Sequence, residues 1–152
     1  MSVIFIPRSL EHDLKQQLPK NSDLTNEQLL LLYNIFGDLI MKALLIIECG
    51  SITIERSKSS QHQLFRVESN SGSLHYCSNY TRYCRCFNTV QKYIEPLLYK
   101  LWCEHNLAIF LAEMMGKTKV VYLHDDVFCR SLEMLYNRDS PDPNTCIIGS
   151  SK

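Results

Sequence analysis

The chain has 152 residues, a mass of 17.7 kDa and 45% hydrophobic residues, which predicts a single domain with a sizeable apolar core. Sixteen basic and sixteen acidic residues give a formal net charge of zero, which argues against a domain that holds phosphates by charge alone. Seven cysteines, in a sequence without the charged and apolar regions of a signal peptide, favour a reducing compartment. Cysteine pairs there indicate metal binding more often than disulfides.

After an N-terminal segment, residues 1–23, the sequence predicts one long apolar helix over residues 25–48. Thr25 and Gln28 have the spacing of a capping box at its start. Gly50 follows its last turn, where a left-handed residue commonly ends a helix. The apolar positions cover more than one stripe of this helix. We expect either a central core helix or a helix that leaves one apolar face for a partner protein.

The middle of this helix approaches the length of a membrane span, from Leu29 to Ile47. Asn34, Asp38 and Lys42 lie inside it on one stripe, and charges at the centre of a bilayer are costly. We therefore expect a soluble helix and no membrane contact. Gly37 costs about 1 kcal/mol relative to alanine inside a helix, and we expect it to mark a close packing contact.

Beyond the helix, the hydrophobic pattern changes from a helical period to alternation. Residues 51–56, 62–68 and 74–77 read as strands separated by polar turns, which predicts a small antiparallel meander. The following stretch, residues 80–86, should be extended at its end. A connector, residues 87–102, contains a proline and closes with an apolar run that predicts a packed turn or short helix.

The C-terminal part is predicted to be helical. Residues 104–115 and 125–136 carry helical apolar patterns, and residues 137–152 are rich in Pro, Ser, Asn and Gly, so that we expect a disordered tail. The fold class is therefore α+β. A single domain over residues 24–136 should contain the N-terminal helix, the meander and the C-terminal helices.

Two pairs of soft metal ligands stand between the meander and these helices. Cys84-x-Cys86 is followed, after sixteen residues, by Cys103-x-His105. On an extended strand, the i, i+2 spacing points both side chains to one face. Three thiolates and one imidazole suit a tetrahedral zinc ion. We predict a closed structural Zn²⁺ site with these four ligands, leading into the helix at residue 104.

The same residues give little support to an enzyme. A nucleophilic Cys103 with His105 as its base is disfavoured, because catalytic partners are normally brought together by the fold and not by a two-residue spacing. The sequence offers no orienting Asp or Asn and no oxyanion hole. A zinc ion with four protein ligands has no open position for substrate. We therefore predict a non-catalytic protein.

The other candidate residues have ordinary interpretations. Trp102 either packs in the core or shields the metal from water, and core packing is favoured. Cys77 is interpreted as a buried core thiol, although it lies near the first ligand pair. Four histidines lack ligand-like spacing and are assigned to the surface or to ordinary packing: His12, His62, His75 and His124.

The ligand pattern resembles the SWIM zinc-binding domain, whose motif is C-x-C-x(n)-C-x-H. Ala108 extends the second pair to C-x-H-x-x-A, the longer form typical of the Shu-complex branch of that family. The resemblance covers residues 24–136, with a SWIM core at about residues 74–116. Phe87 departs from the family, since many SWIM domains have proline directly after the second cysteine.

The resemblance implies a non-catalytic subunit of a Shu-type complex in the nucleus. Such a subunit pairs with a Rad-type recombinase paralogue, a RecA-fold ATPase, here through the apolar helix 25–48 and the SWIM region. The heterodimer promotes recombinase filament assembly on single-stranded DNA during homologous recombination and DNA repair, in mitosis or meiosis.

The alternative is a SWIM zinc module that binds nucleic acid directly in a transcription or transposase-like context. Four basic residues near the motif would have to provide the contacts: Arg82, Arg85, Lys92 and Lys100. This set is sparse and is interspersed with acidic residues, so we interpret it as a solvated face. We therefore expect single-stranded DNA to be contacted through the complex.

Overall fold

The computed structural model describes residues 4–78, residue 84 and residues 99–136. Within these ranges, the elements follow in the order β1 (Ile4–Pro7), α1 (Arg8–Gln17), α2 (Asn26–Phe36), α3 (Leu39–Cys49), β2 (Ser51–Ser57), β3 (Gln63–Glu68), β4 (Leu74–Ser78), β5 (Tyr99–Trp102), α4 (Glu104–Met115), β6 (Lys119–Leu123) and α5 (Asp125–Tyr136). The α+β class is confirmed. None of the described helices combines the length and the apolar character that a membrane crossing requires. The predicted tail, residues 137–152, lies outside the described residues.

The central sheet has four strands in the order β4-β3-β2-β6. Strands β2, β3 and β4 form the predicted antiparallel meander. Strand β6 adds to its edge, parallel to β2, with Ile54 opposite Val120. Strand β6 was not predicted from the sequence, although its Val-Val-Tyr run consists of residues that favour strands.

The predicted continuous helix over residues 25–48 is wrong, because the chain forms two helices there. Helix α2 ends at Phe36 and α3 begins at Leu39. Gly37 between them has φ of +59° and ψ of −139°, which L residues rarely adopt. A Cβ atom at Gly37 would meet nothing within 4 Å, so the expected close packing contact is also wrong. The glycine is needed for the backbone turn itself.

Of the predictions for the two ends of this helical pair, one is confirmed and one is wrong. The capping box is confirmed, because the Thr25 amide donates to Gln28 Oε1 (2.9 Å) and the Gln28 amide donates to Thr25 Oγ1 (3.3 Å). The left-handed conformation expected for Gly50 is wrong, since its φ of −105° is extended. Glycine serves another purpose there, because a Cβ atom would collide with the backbone carbonyl of Glu68.

The N-terminal segment is part of the main core. Strand β1 pairs antiparallel with β5, with Ile6 opposite Lys100. The packed turn or short helix expected before residue 103 is therefore wrong for residues 99–102. Its strand conformation depends on a partner almost 100 residues away in sequence, which no local pattern reveals. Ile6, Leu14 and Leu18 are buried in the same core as the central helices.

Helix α4, predicted over residues 104–115, is confirmed and lies at the centre of the main core. Nine of its twelve residues are buried, and it packs against α3 and the inner face of the sheet. Trp102 precedes it and is fully buried. The indole meets Phe36 edge-on at 5.4 Å and Phe110 edge-on at 5.3 Å between ring centroids. Core packing is thus the observed role of Trp102.

Helix α5, also confirmed at its predicted bounds, covers the opposite face of the sheet. Burial raises the pKa of Tyr76 on this face, and its hydroxyl is hydrogen-bonded to Ser131 of α5. Hydrogen bonds from the hydroxyls of Ser59 and Ser57 lower the pKa of Asp125 at the start of α5. A second apolar cluster completes the contact: Leu64, Tyr76, Phe128 and Leu135.

Replacing Gly37 with alanine should lower the free energy of unfolding by about 1 to 3 kcal/mol, because an L residue is strained at this backbone conformation. Urea denaturation followed by circular dichroism measures the change. Asn34→Ala, at an exposed position of α2, is the matched control and should stay within about 0.5 kcal/mol of the parent. Equal stability of Gly37→Ala and the parent would contradict this account of the helix break.

Candidate metal centre

The start of α4 carries two of the four predicted ligands. Cys103 is the N-cap residue in extended conformation, and its Sγ accepts a hydrogen bond from the Asn106 amide at 3.4 Å. The thiol thus occupies the place that a serine or threonine oxygen commonly takes at a helix start. His105 follows in the first helical turn, as predicted, and is 4% exposed.

The third ligand reaches this place through the sheet. Cys84 forms an isolated antiparallel bridge with Cys77 of β4. Cys77 and Cys84 are both fully buried in the main core, which agrees with the interpretation of Cys77 as a core thiol. The bridge places Cys84 beside β4 and against the start of α4, so two segments distant in sequence meet at one point.

The two thiols converge on one nitrogen of the imidazole. His105 Nδ1 lies 3.8 Å from Cys84 Sγ and 3.8 Å from Cys103 Sγ. A tetrahedral zinc ion with its usual bond lengths separates a sulfur ligand from a nitrogen ligand by about 3.5 Å. Cys84 and Cys103 therefore each lie close to the zinc ligand spacing from His105 Nδ1, and all three donors are of the types that bind zinc.

The other imidazole nitrogen faces a carboxylate. Glu104 Oε1 lies 3.9 Å from His105 Nε2. This separation is longer than a hydrogen bond, so the carboxylate is a neighbour of the imidazole and not its hydrogen-bond acceptor. Cys86, the fourth predicted ligand, lies outside the described residues. The complete set of Cys84, Cys86, Cys103 and His105 therefore stays a prediction.

A second histidine, which was predicted to lie at the surface or in ordinary packing, adjoins the site. The ring of His75 on β4 stacks on His105, with centroids 3.8 Å apart and planes inclined by 24°. One ligand atom from each of His75, Cys84 and His105 lies within 4.8 Å of the other two. His75 stands two residues before Cys77, so both side chains lie on the same face of the strand. This spacing could have indicated that His75 lies near the metal site. The sequence does not show, however, which helix covers that face.

The remaining cysteines and histidines of the described residues do not join this group. Cys49 and Cys129 are exposed at helical positions. His12 lies on the exposed side of α1, and His124 contacts Lys58 near the start of α5. Cys146 lies outside the described residues.

Thiols and an imidazole that meet where a strand joins a helix are the donor types of a small structural zinc site. No protein-family model and no solved structure matches the chain. Zinc finger SWIM domain-containing protein 7 of Danio rerio is 30% identical over 118 residues, which cover 76% of this chain and 81% of that protein. The protein of the same name in Mus musculus is 26% identical over 129 residues, covering 80% and 81%.

A homologue in Dictyostelium discoideum, also named for zinc finger SWIM domain-containing protein 7, is 29% identical over 111 residues. That match covers 72% of this chain and 69% of the homologue. The chain belongs to the family of zinc finger SWIM domain-containing protein 7, and the predicted SWIM resemblance is confirmed at this level.

Cys84→Ala or Cys103→Ala should abolish stoichiometric zinc binding and lower the melting temperature, because the binding energy of a structural zinc ion contributes to folding. Metal analysis of the purified protein and thermal unfolding measure both effects. Cys49→Ser alters an exposed thiol on α3 and should keep one zinc ion per chain. A Cys84 or Cys103 variant with full zinc content and unchanged stability would refute the ligand assignment.

Proposed function

We propose that this protein is a non-catalytic, zinc-binding subunit of a Shu-type complex. In this role, it pairs with a RecA-fold recombinase paralogue and promotes assembly of the recombinase filament on single-stranded DNA. The complex acts in homologous recombination and DNA repair, in the nucleus. Membership of the SWIM family supports the zinc-binding part, and the surface of α2 and α3 supports the pairing.

A structural role for the metal agrees with the burial of the site. Cys84, Cys103 and His105 are at most 4% exposed and lie within the main core. An ion held there joins the sheet to α4 and adds to the stability of a small domain. With Cys86 as its predicted fourth ligand, the site would have no open coordination position for a substrate, which supports the proposed non-catalytic function.

The exposed apolar side chains of α2 and α3 are the observation that carries the proposed pairing. Leu30 is 62% exposed and Tyr33 47% on α2, while Met41 is 61% and Leu45 49% exposed on α3. Large apolar and aromatic side chains at a surface favour contact with another protein. Two successive helices that each present such a pair provide the kind of face that a partner domain can cover.

The charge of the chain favours a protein partner over direct binding to nucleic acid. The formal net charge is zero, whereas domains that hold phosphates by themselves are usually basic. Arg82, Arg85 and Lys92, which the alternative function requires, lie outside the described residues. Contact with single-stranded DNA is therefore assigned to the complex, in which the recombinase paralogue adds its own charge.

The paired substitution Leu30→Asp with Met41→Asp should weaken recovery of a RecA-fold ATPase from co-expressing cells by at least about tenfold, since each aspartate would be desolvated at the interface. Affinity purification with identification by mass spectrometry measures this, and zinc content and melting temperature should stay unchanged. Val120→Asp is the matched control, because Val120 is 47% exposed on the separate edge strand β6.

Three results would contradict the proposed function. Purification of the parent protein could recover no RecA-fold ATPase. The control Val120→Asp could abolish recovery while the paired substitution leaves it intact, which would move the interface to β6. The isolated chain could also bind DNA with a steep dependence on salt, which would favour the direct nucleic-acid function.

A further inference from the structure

We propose that His75 is an auxiliary metal donor of this centre, which takes the zinc ion transiently as it passes between solvent and the buried ligands. In this role, His75 controls the rate of metal exchange and does not belong to the resting ligand set. The inference rests on the zinc site of the proposed function and is independent of the recombinase partner.

The position of His75 places a donor nitrogen beside the buried ligands. Its ring is half-buried and stacked on His105, whereas His105 and Cys84 are at most 4% exposed. The donor atoms of His75, Cys84 and His105 lie within 4.8 Å of one another. A small side-chain movement would bring all three within reach of one ion. His75 is thus the more accessible imidazole of the pair.

The stacked arrangement disfavours His75 as a resting ligand together with His105. A ligating imidazole holds zinc close to its own ring plane, at about 2.0 to 2.1 Å from the nitrogen. The two rings are nearly parallel, with centroids 3.8 Å apart. One ion could therefore not lie in both ring planes at once. His75 would bind the ion only after its ring turns, so we assign it outside the predicted tetrahedral set.

A pocket provides the path that such an exchange needs. It has a volume of about 250 Å³ and reaches both His75 and His105. Lys42 and Leu45 of α3 form one wall, and Ser71 belongs to the turn between β3 and β4 that forms another. A buried metal site requires an entry route, and His75 stands where this one meets the ligands.

The exchange step changes one bond at a time. Zinc can pass through a five-coordinate state, as it sometimes does in catalytic sites. With zinc bound, the neutral His75 nitrogen would offer its lone pair to the ion, and one thiolate would leave with its own electron pair. Water or a chelator would then reach the ion from the pocket. The sequence reverses when zinc is loaded, and no oxidation or reduction is involved.

The test uses the full chain loaded with zinc and measures metal transfer to a chromophoric chelator. His75→Phe keeps a ring that can stack and removes the donor nitrogen. It should retain one zinc ion per chain, an unchanged spectrum after cobalt substitution, and a transfer rate about tenfold slower than the parent. His12→Phe, which makes the same exchange of rings on the exposed side of α1, should transfer zinc at the parental rate.

An unchanged rate in His75→Phe would overturn the proposal and leave stacking as the function of the ring. Loss of stoichiometric zinc, or an altered cobalt spectrum in a folded variant, would make His75 a resting ligand and would also overturn it. If His75→Phe does not fold, His75→Leu is measured in the same way, with the same expected slowing. A parent chain without zinc refutes the site and the proposal together, whereas zinc without a RecA-fold partner refutes the proposed pairing alone.

Discussion

The contact between the start of α4 and strand β4 is the constraint on which the rest of the structure depends. Nine of the twelve residues of α4 are buried, and its first turn packs near β4. Cys103 caps the helix, His105 follows, and the bridge to Cys77 brings Cys84 to the same point. The packing of α4 against β4 therefore also brings the donor atoms together. Zinc binding would strengthen a junction that the core already forms.

This junction also divides the surface into regions with different chemistry. The metal ligands are enclosed, while the apolar side chains of α2 and α3 remain exposed on the outside of the same helical layer. In the proposed function, the partner would cover the outside of α2 and α3, and Leu45 of that face also lines the pocket that reaches His75 and His105. His75 lies at this pocket, where α3, the turn between β3 and β4, and the first turn of α4 meet. Exchange of zinc in the proposed complex would consequently depend on how far a partner on α3 covers this pocket.

The predictions that were correct rest on local interactions. The capping box of Thr25, the bounds of α4 and α5, and the alternating strands of the meander each depend on neighbours within a few residues, so the sequence displays them directly. The errors arise where segments distant in sequence pair with each other, or where a single residue interrupts an otherwise continuous apolar pattern. Residues 99–102 became a strand because β1 pairs with them, and Gly37 ends a helix although its surroundings continue the apolar pattern. Local periodicity contains neither kind of information.

The sequence by itself determined the α+β class, the order of the central elements and the spacing of donors that identifies a SWIM zinc finger, because these are properties of periodicity and residue type. Only the tertiary structure decided that Cys84 and Cys103 both face Nδ1 of His105, that β6 completes the sheet, and that His75 stacks on the imidazole beside an open pocket. The physical reason is that these contacts join residues far apart in the chain. Their distances depend on how helices cover the sheet, which is decided by the packing of the whole core.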